Sequence, residues 1–273
     1  MGNEKHISEL AESPWQAWLT CSETQLAHLY EPEPGLFIAE SANVIERAIA
    51  AGYQPEAFLI DPAFYREQVR AMTVQLPDVP VYLAAEPVLN SIRGMHLTRG
   101  VLCAMRRRRM QMPPSAQLGS RIVILENIVN PTNLGAIFRS AAALGMDAVL
   151  LTKGCTDPLY RRAARVSTGT VFQIPWFTDS SAETAVPIIR ALQSSGYICM
   201  AMALNSDSVS LSDPRLREPE RLAVVMGNEG SGLCAETVSA CDYTVRIPML
   251  HGVDSLNVAA ASAVAFWELR RRS

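Results

Sequence analysis

From Gly35 onward, short and solidly apolar runs alternate with longer stretches in which apolar positions recur every three or four residues. That alternation predicts strands buried on both faces between helices, the pattern of a parallel α/β sheet. Ahead of Gly35, one or two helical turns are expected around Trp15 and Trp18. The run 36–39 reads as a strand, and Ser41 is placed to cap a helix over 42–51 that Gly52 ends. Strands follow at 57–60, 79–84 and 100–105, with a helical turn at 86–92. Pro113 and Pro114 then interrupt regular structure. Residues 110–120 therefore read as a linker between a domain of 1–109, compact over about 35–105, and a second domain of 121–273. The second opens with a strand at 121–125, a helix at 133–144 closed by Gly145, and a strand at 148–151. Helices at 159–166, 183–195 and 256–272 and strands at 197–203, 222–226 and 244–247 complete it.

Composition narrows the class. A chain of 273 residues, 49% hydrophobic and 19% charged, supports two packed domains and argues against disorder. No apolar run approaches the ~20 residues of a membrane helix, and the start of the chain lacks the apolar core of a secretory signal. A cytoplasmic protein outside the membrane is the expectation. The six cysteines form no C-x-x-C pair and read as buried reduced thiols, and the four histidines are scattered, so no metal site is expected. A net charge of −3 does not advertise a nucleic-acid binder, but phosphates respond to local charge. Three basic clusters exist: Arg106, Arg107, Arg108 and Arg109; Arg161, Arg162 and Arg165; and Arg270 to Arg272. Each alone reads as a solvated face.

Three segments carry candidate chemistry. The first, 126–140, leaves a strand and opens a helix, where open sheets place ligands. Asn133 is a plausible cap there. Arg139 stands among Ala136, Ile137, Phe138, Ala141, Ala142, Ala143 and Leu144, and needs a partner if that helix buries it. The second runs from an apolar strand into Gly227-Asn228-Glu229-Gly230-Ser231-Gly232. Its G-x-x-G-x-G spacing is neither the dinucleotide G-x-G-x-x-G nor a phosphate-binding loop, and a tight turn explains it equally well. Turn chemistry does not explain Glu229. The third leaves a strand at Ile247-Pro248-Met249 and reaches Ser255-Leu256-Asn257 at a helix start, where Ser255 is the plain capping candidate.

In this order and spacing, N-x5-R, N-E-G-x-G-L and I-P-M followed by S-L-N resemble the SpoU (TrmH-like) group of the SPOUT class of RNA methyltransferases, over about 121–268. The first domain resembles, more loosely, the substrate-binding domain often fused ahead of it, through 40–51 and His96-Leu97-Thr98-Arg99-Gly100-Val101. Asn130 before Pro131 departs from the aspartate common in that group. The resemblance implies a parallel-sheet domain with a deep trefoil knot, a feature no pattern argument predicts. It implies S-adenosylmethionine as methyl donor, held by Gly227, Ile247 and Leu256 with Met226, Asn228 and Met249 beside them. It implies a homodimer acting on rRNA or tRNA at a ribose 2′-hydroxyl. Its sulfonium makes the methyl electrophilic without a metal. Arg139 would serve either as the base or as a group holding the hydroxyl and a phosphate, with Asn133, Glu229, Ser255 and Asn257 fixing it and the ribose. RNA would meet Arg106 to Arg109, Arg161 and Arg165. Two rivals stand beside it: a catalytically silent RNA-binding paralogue of the same fold, disfavoured because every motif position is filled, and a nucleotide-dependent oxidoreductase using the Gly227 loop, which the glycine spacing disfavours.

Overall fold

The computed structural model describes residues 3–30, 33–90 and 100–271. The His96–Arg99 part of the first-domain motif, the last two residues of the turn expected to 92, and Arg272 lie outside the described residues. In chain order the elements are β1 (Glu4–Ile7), α1 (Trp15–Thr20), α2 (Glu23–Ala27), β2 (Leu36–Glu40), α3 (Ala42–Ala50), β3 (Pro55–Ile60), α4 (Glu67–Val74), β4 (Val81–Ala84), α5 (Glu86–Asn90) and β5 (Val101–Arg106). Then come β6 (Arg121–Leu125), α6 (Pro131–Ala143), β7 (Ala148–Thr152), α7 (Arg161–Val166), β8 (Trp176–Asp179), α8 (Val186–Gln193) and β9 (Ile198–Met202). The chain ends with β10 (Val209–Ser210), β11 (Leu222–Met226), α9 (Ala235–Ala240), β12 (Tyr243–Arg246) and α10 (Val258–Leu269). Its contacts divide it into two units: residues up to Arg109 together with Leu159–Phe172, and Met110–Pro158 together with everything from Gln173.

The first unit is a five-stranded sheet ordered β1-β4-β3-β5-β2. β1, β4 and β3 run parallel, and β5 runs antiparallel to both β3 and β2. Trp15, fully buried, meets Trp18 edge-on at 5.4 Å and closes one face with Leu36, Leu59 and Leu102. β1 was not expected: Glu4, Lys5 and His6 are exposed and only Ile7 is buried, so an edge strand leaves no apolar run to read. Ser41 does precede α3, but it does not cap it. Its backbone sits at φ +86 and its side chain makes no capping bond. The 159–166 helix was expected in the second domain, yet α7 packs on β2. The reason is electrostatic as well as apolar. Glu40, 2% exposed on β2, receives Arg165 at 3.0 Å and lies 3.9 Å from Arg161, while Ala163 and Ala164 are buried.

The second unit is a seven-stranded, wholly parallel sheet ordered β10-β12-β9-β11-β6-β7-β8. β6, β7 and β11 are buried at every residue, which is why they read as unbroken apolar runs. Ile188, Ile189 and Leu192 of α8 and Ala240 of α9 pack on Ile122, Ile124, Ala223 and Val225, while α6 packs against α10. β8 escaped the sequence reading because it is a partly exposed edge strand. Arg121, buried on β6, donates to the carbonyls of Leu269 (2.9 Å) and Glu220 (2.8 Å), tying down the end of α10. Burial, with Arg271 nearby, lowers its pKa.

Candidate cofactor and catalytic site

The site lies where β9, β11 and β12 end, at the carboxyl edge of the parallel sheet. From β11 the chain enters a loop that folds on itself. Asn228 Oδ1 accepts from the backbone N–H groups of Gly230 (2.8 Å) and Ser231 (3.2 Å), and its carbonyl accepts from Gly232 (3.0 Å). Gly227 passes so close to the returning strand that a Cβ there would lie 2.6 Å from both Gly232 C and Leu233 N. The glycine is therefore required by the loop's own closure. The loop is pinned from two sides. Asn228 Nδ2 donates to the Asn127 carbonyl (2.9 Å), and Glu126, 1% exposed, accepts from Cys234 N–H (2.9 Å), Ala185 N–H (2.7 Å) and the Thr237 hydroxyl.

The caps of α6 and α10 differ from expectation, and the difference builds the site. Asn130, not Asn133, caps α6, accepting from Thr132 (2.8 Å) and Asn133 (3.4 Å), with Pro131 at the first helical position. Asn257, not Ser255, caps α10 by accepting from Ala259 N–H at 2.9 Å. The Asn133 side chain is thereby free to donate to Glu229 Oε1 (2.6 Å) and to accept from Asn257 Nδ2 (3.2 Å). One polar chain, Asn257–Asn133–Glu229, thus joins all three sequence segments. Arg139 is not part of it. It lies on the exposed side of α6 and makes no hydrogen bond or ion pair among the described residues.

Beside the chain is a cavity of 320 Å³. Met226, Gly227, Asn228, Ile247, Met249 and Leu256, the six residues expected to hold the cofactor, all line it, as do Glu229 and Ser255. Met202, Ala203, Leu204 and Asp254 also line it and were not foreseen. The signal for the first three was the end of a strand neighbouring β11, but strand order is invisible before the sheet is known. Thioether and aliphatic walls, open backbone, two carboxylates and the Arg246 guanidinium suit a ligand that is part heteroaromatic and carries charges of both signs. Among the described residues no group of side chains could hold a metal ion. Of the six cysteines expected to be buried only Cys103 and Cys199 are; Cys21, Cys155, Cys234 and Cys241 are half-buried. Desolvation pushes Cys199 and Cys241 up to about 12 and raises Cys103 and Cys155, which holds these four as thiols.

The expected RNA-facing arginines separate into two groups. In the first unit Arg106 binds Glu56 (2.8 and 3.1 Å) and lies over Tyr30. Arg108 donates to the Ala51 carbonyl (2.6 Å) and lies over Tyr53, and Arg109 stands 3.6 Å from Glu33. With Arg107 they line a cavity of 410 Å³. Arg161 and Arg165 are different. Both reach the buried Glu40, which takes up part of their charge.

Gly227→Val is expected to displace the loop and weaken S-adenosylmethionine binding by at least about tenfold, since a contact of that size costs more than 1.4 kcal/mol. Calorimetry returning wild-type affinity would show that the loop does not form the binding surface.

The chain matches the SpoU rRNA Methylase family over residues 120–267. It is 39% identical over 242 residues to an uncharacterized tRNA/rRNA methyltransferase of Mycobacterium bovis, covering 86% of this chain and 81% of that one. An AdoMet-bound rRNA methyltransferase from Sinorhizobium meliloti superimposes with a TM-score of 0.78 at 26% identity, over 97% of each chain. An RNA 2′-O ribose methyltransferase superimposes with a TM-score of 0.76 at 25% identity, over 97% of this chain and 98% of that one. With its fold, its polar chain and its glycine loop in these places, the chain belongs to the SpoU methylase family.

Proposed function

We propose that the chain is an S-adenosylmethionine-dependent RNA methyltransferase that modifies the 2′-hydroxyl of a ribose in rRNA or tRNA. The observation that carries this is the Asn257–Asn133–Glu229 chain alongside a cavity lined by the glycine loop. Bound there, S-adenosylmethionine supplies a methyl group made electrophilic by its sulfonium. Met226, Ile247, Met249 and Leu256 offer apolar contact to a nucleoside, and Glu229 and Asp254 offer negative charge toward a cation. Glu229 and Asn133 present oxygen and amide groups with which a ribose can be oriented. Orientation of this kind contributes several kcal/mol, on the order of 7 in favourable systems. Arg139, exposed and unpaired among the described residues, is assigned to grip the ribose hydroxyl and a neighbouring phosphate, a task suited to the planar fork of donors of a guanidinium.

In the same reading the segment after β12 threads the trefoil knot of the family. The joint lining of one cavity by residues 202–204, 226–232 and 245–256 supports it. Two copies associate through α10, where Val264 and Trp267 are 42% and 56% exposed on an otherwise apolar helix. RNA meets the cluster Arg106 to Arg109, and the protein works in the cytoplasm. No described helix is long and apolar enough to cross a membrane.

The test is methyl transfer from labelled S-adenosylmethionine to total cellular RNA, followed by alkaline hydrolysis. Label recovered in alkali-resistant dinucleotides is the expected result. Label confined to single nucleotides would place the methyl on a base and overturn the ribose assignment.

A further inference from the structure

Two helices of the first unit begin at one small cavity. α3 has nine residues and α4 has eight, and Ser41, Ala42, Asn43, Phe64, Arg66 and Gln68 stand around a space of 230 Å³ between their starts. Neither helix has a side-chain cap. The first three N–H groups of each, from Ala42, Asn43 and Val44 and from Glu67, Gln68 and Val69, find no acceptor among the described residues. Each N-terminus presents roughly half a positive charge through such orphan donors. A second, independent observation points the same way. Ser41, which lines the cavity, is 4% exposed, and its Oγ is buried with no hydrogen-bond partner among the described residues. An orphaned buried hydroxyl costs about 1–3 kcal/mol unless something arrives to accept from it.

Arg66 is the one charged side chain that lines the cavity among the described residues. The Arg66 guanidinium lies over the Phe64 ring at 5.8 Å and makes no ion pair among the described residues. Glu40, adjacent to Ser41, is compensated by Arg165 and Arg161. Glu46 is held by Gln68 Nε2 at 3.0 Å, and the same Nε2 reaches Asn43 Oδ1 at 3.1 Å, leaving the Asn43 amide NH2 to donate. Glu67 opens α4, and neither it nor Glu46 is among the residues lining the cavity. Two sets of unpaired N–H donors at one cavity, a hydroxyl and a guanidinium suit a tetrahedral anion, with four oxygens to accept them, better than a planar carboxylate.

We infer that the junction of α3 and α4 binds a backbone phosphate of RNA, a contact point for substrate in the first unit. The inference rests on RNA being the substrate. The full chain is titrated with inorganic phosphate and, separately, with labelled oligouridylate, while amide resonances of Ala42 to Val44 and Glu67 to Val69 are followed. Both titrants are expected to shift them. Asn43→Asp places a carboxylate in the first turn of α3. That change keeps or raises the thermal midpoint, because the helix dipole favours it, yet it lowers oligouridylate affinity about tenfold. Loss of binding with stability retained cannot come from misfolding. Arg66→Gln, at an exposed position, lowers the slope of log affinity against log salt by about one.

Unchanged affinity and slope in both variants would overturn the inference, as would amide shifts with phosphate but none with oligouridylate. Methyl transfer to RNA by the wild-type chain is scored in parallel. Transfer with unaffected variants sinks only the phosphate site, whereas weakened binding by the variants without wild-type transfer sinks only the enzymatic reading.

Discussion

Arg139→Ala is expected to lower the methyl-transfer rate by at least about a hundredfold, the usual cost of removing one charge-stabilising donor from an active site. S-adenosylmethionine affinity should stay within a few-fold, because Arg139 is not among the residues lining the cavity. The fold should also be unaffected. Arg139 is exposed and without a partner among the described residues, so its removal leaves no buried charge uncompensated. That separates it from the other arginines of the chain: Arg121 ties carbonyls, and Arg165 holds a buried carboxylate. Arg139→Lys should fail as well, since an ammonium cannot meet a hydroxyl and a phosphate with a planar fork of donors. Single-turnover rates with saturating labelled cofactor, read beside calorimetric affinities, test this. Near-normal turnover in the lysine variant would remove Arg139 from the reacting centre.

The second large effect is on stability. Glu126 is 1% exposed, has no cationic partner among the described residues, and is satisfied by the N–H groups of Ala185 and Cys234 and by the Thr237 hydroxyl. Glu126→Ala strands these donors at about 1–3 kcal/mol each, so a loss of about 3 kcal/mol or more is expected after partial relaxation. For a protein of this size that lowers the thermal midpoint by roughly 10 °C. Glu126→Gln keeps one acceptor oxygen and turns an NH2 toward remaining donors, so it falls in between. Because Cys234 closes the glycine loop, cofactor affinity should drop in the same order, with alanine weaker than glutamine and glutamine weaker than wild type. Calorimetric scanning that finds the alanine variant within about 2 °C of wild type would refute the assignment.

The parallel sheet was legible because β6, β7 and β11 are buried on both faces and so write themselves as apolar runs. Edge strands were not: β1 exposes three of its four residues, and β8 is half open, so neither carries a period. The segments that meet at the site were visible as motifs, but their roles were partly misread. Asn133 and Ser255 looked like caps because polar residues before an apolar helix usually are. Asn130 and Asn257 take those tasks instead, and this releases Asn133 to bridge Glu229 and Asn257. A bond between residues 96 and 124 positions apart leaves no local trace in sequence. Likewise nothing around Arg161 and Arg165 announced that their counter-charge is Glu40, more than a hundred residues earlier.

The return of Leu159–Phe172 to the first unit bears on how the protein is made. A ribosome delivers the first 109 residues well before α7 exists, and domains ordinarily fold as they emerge. Here Glu40 sits on a completed strand with its compensating arginines still unsynthesised. Until they arrive, that carboxylate has no counter-charge and must stay hydrated, which keeps the β2 face open. Folding of the first unit is thus held back until β6, α6 and β7 have been translated, so the two units mature together and not in succession.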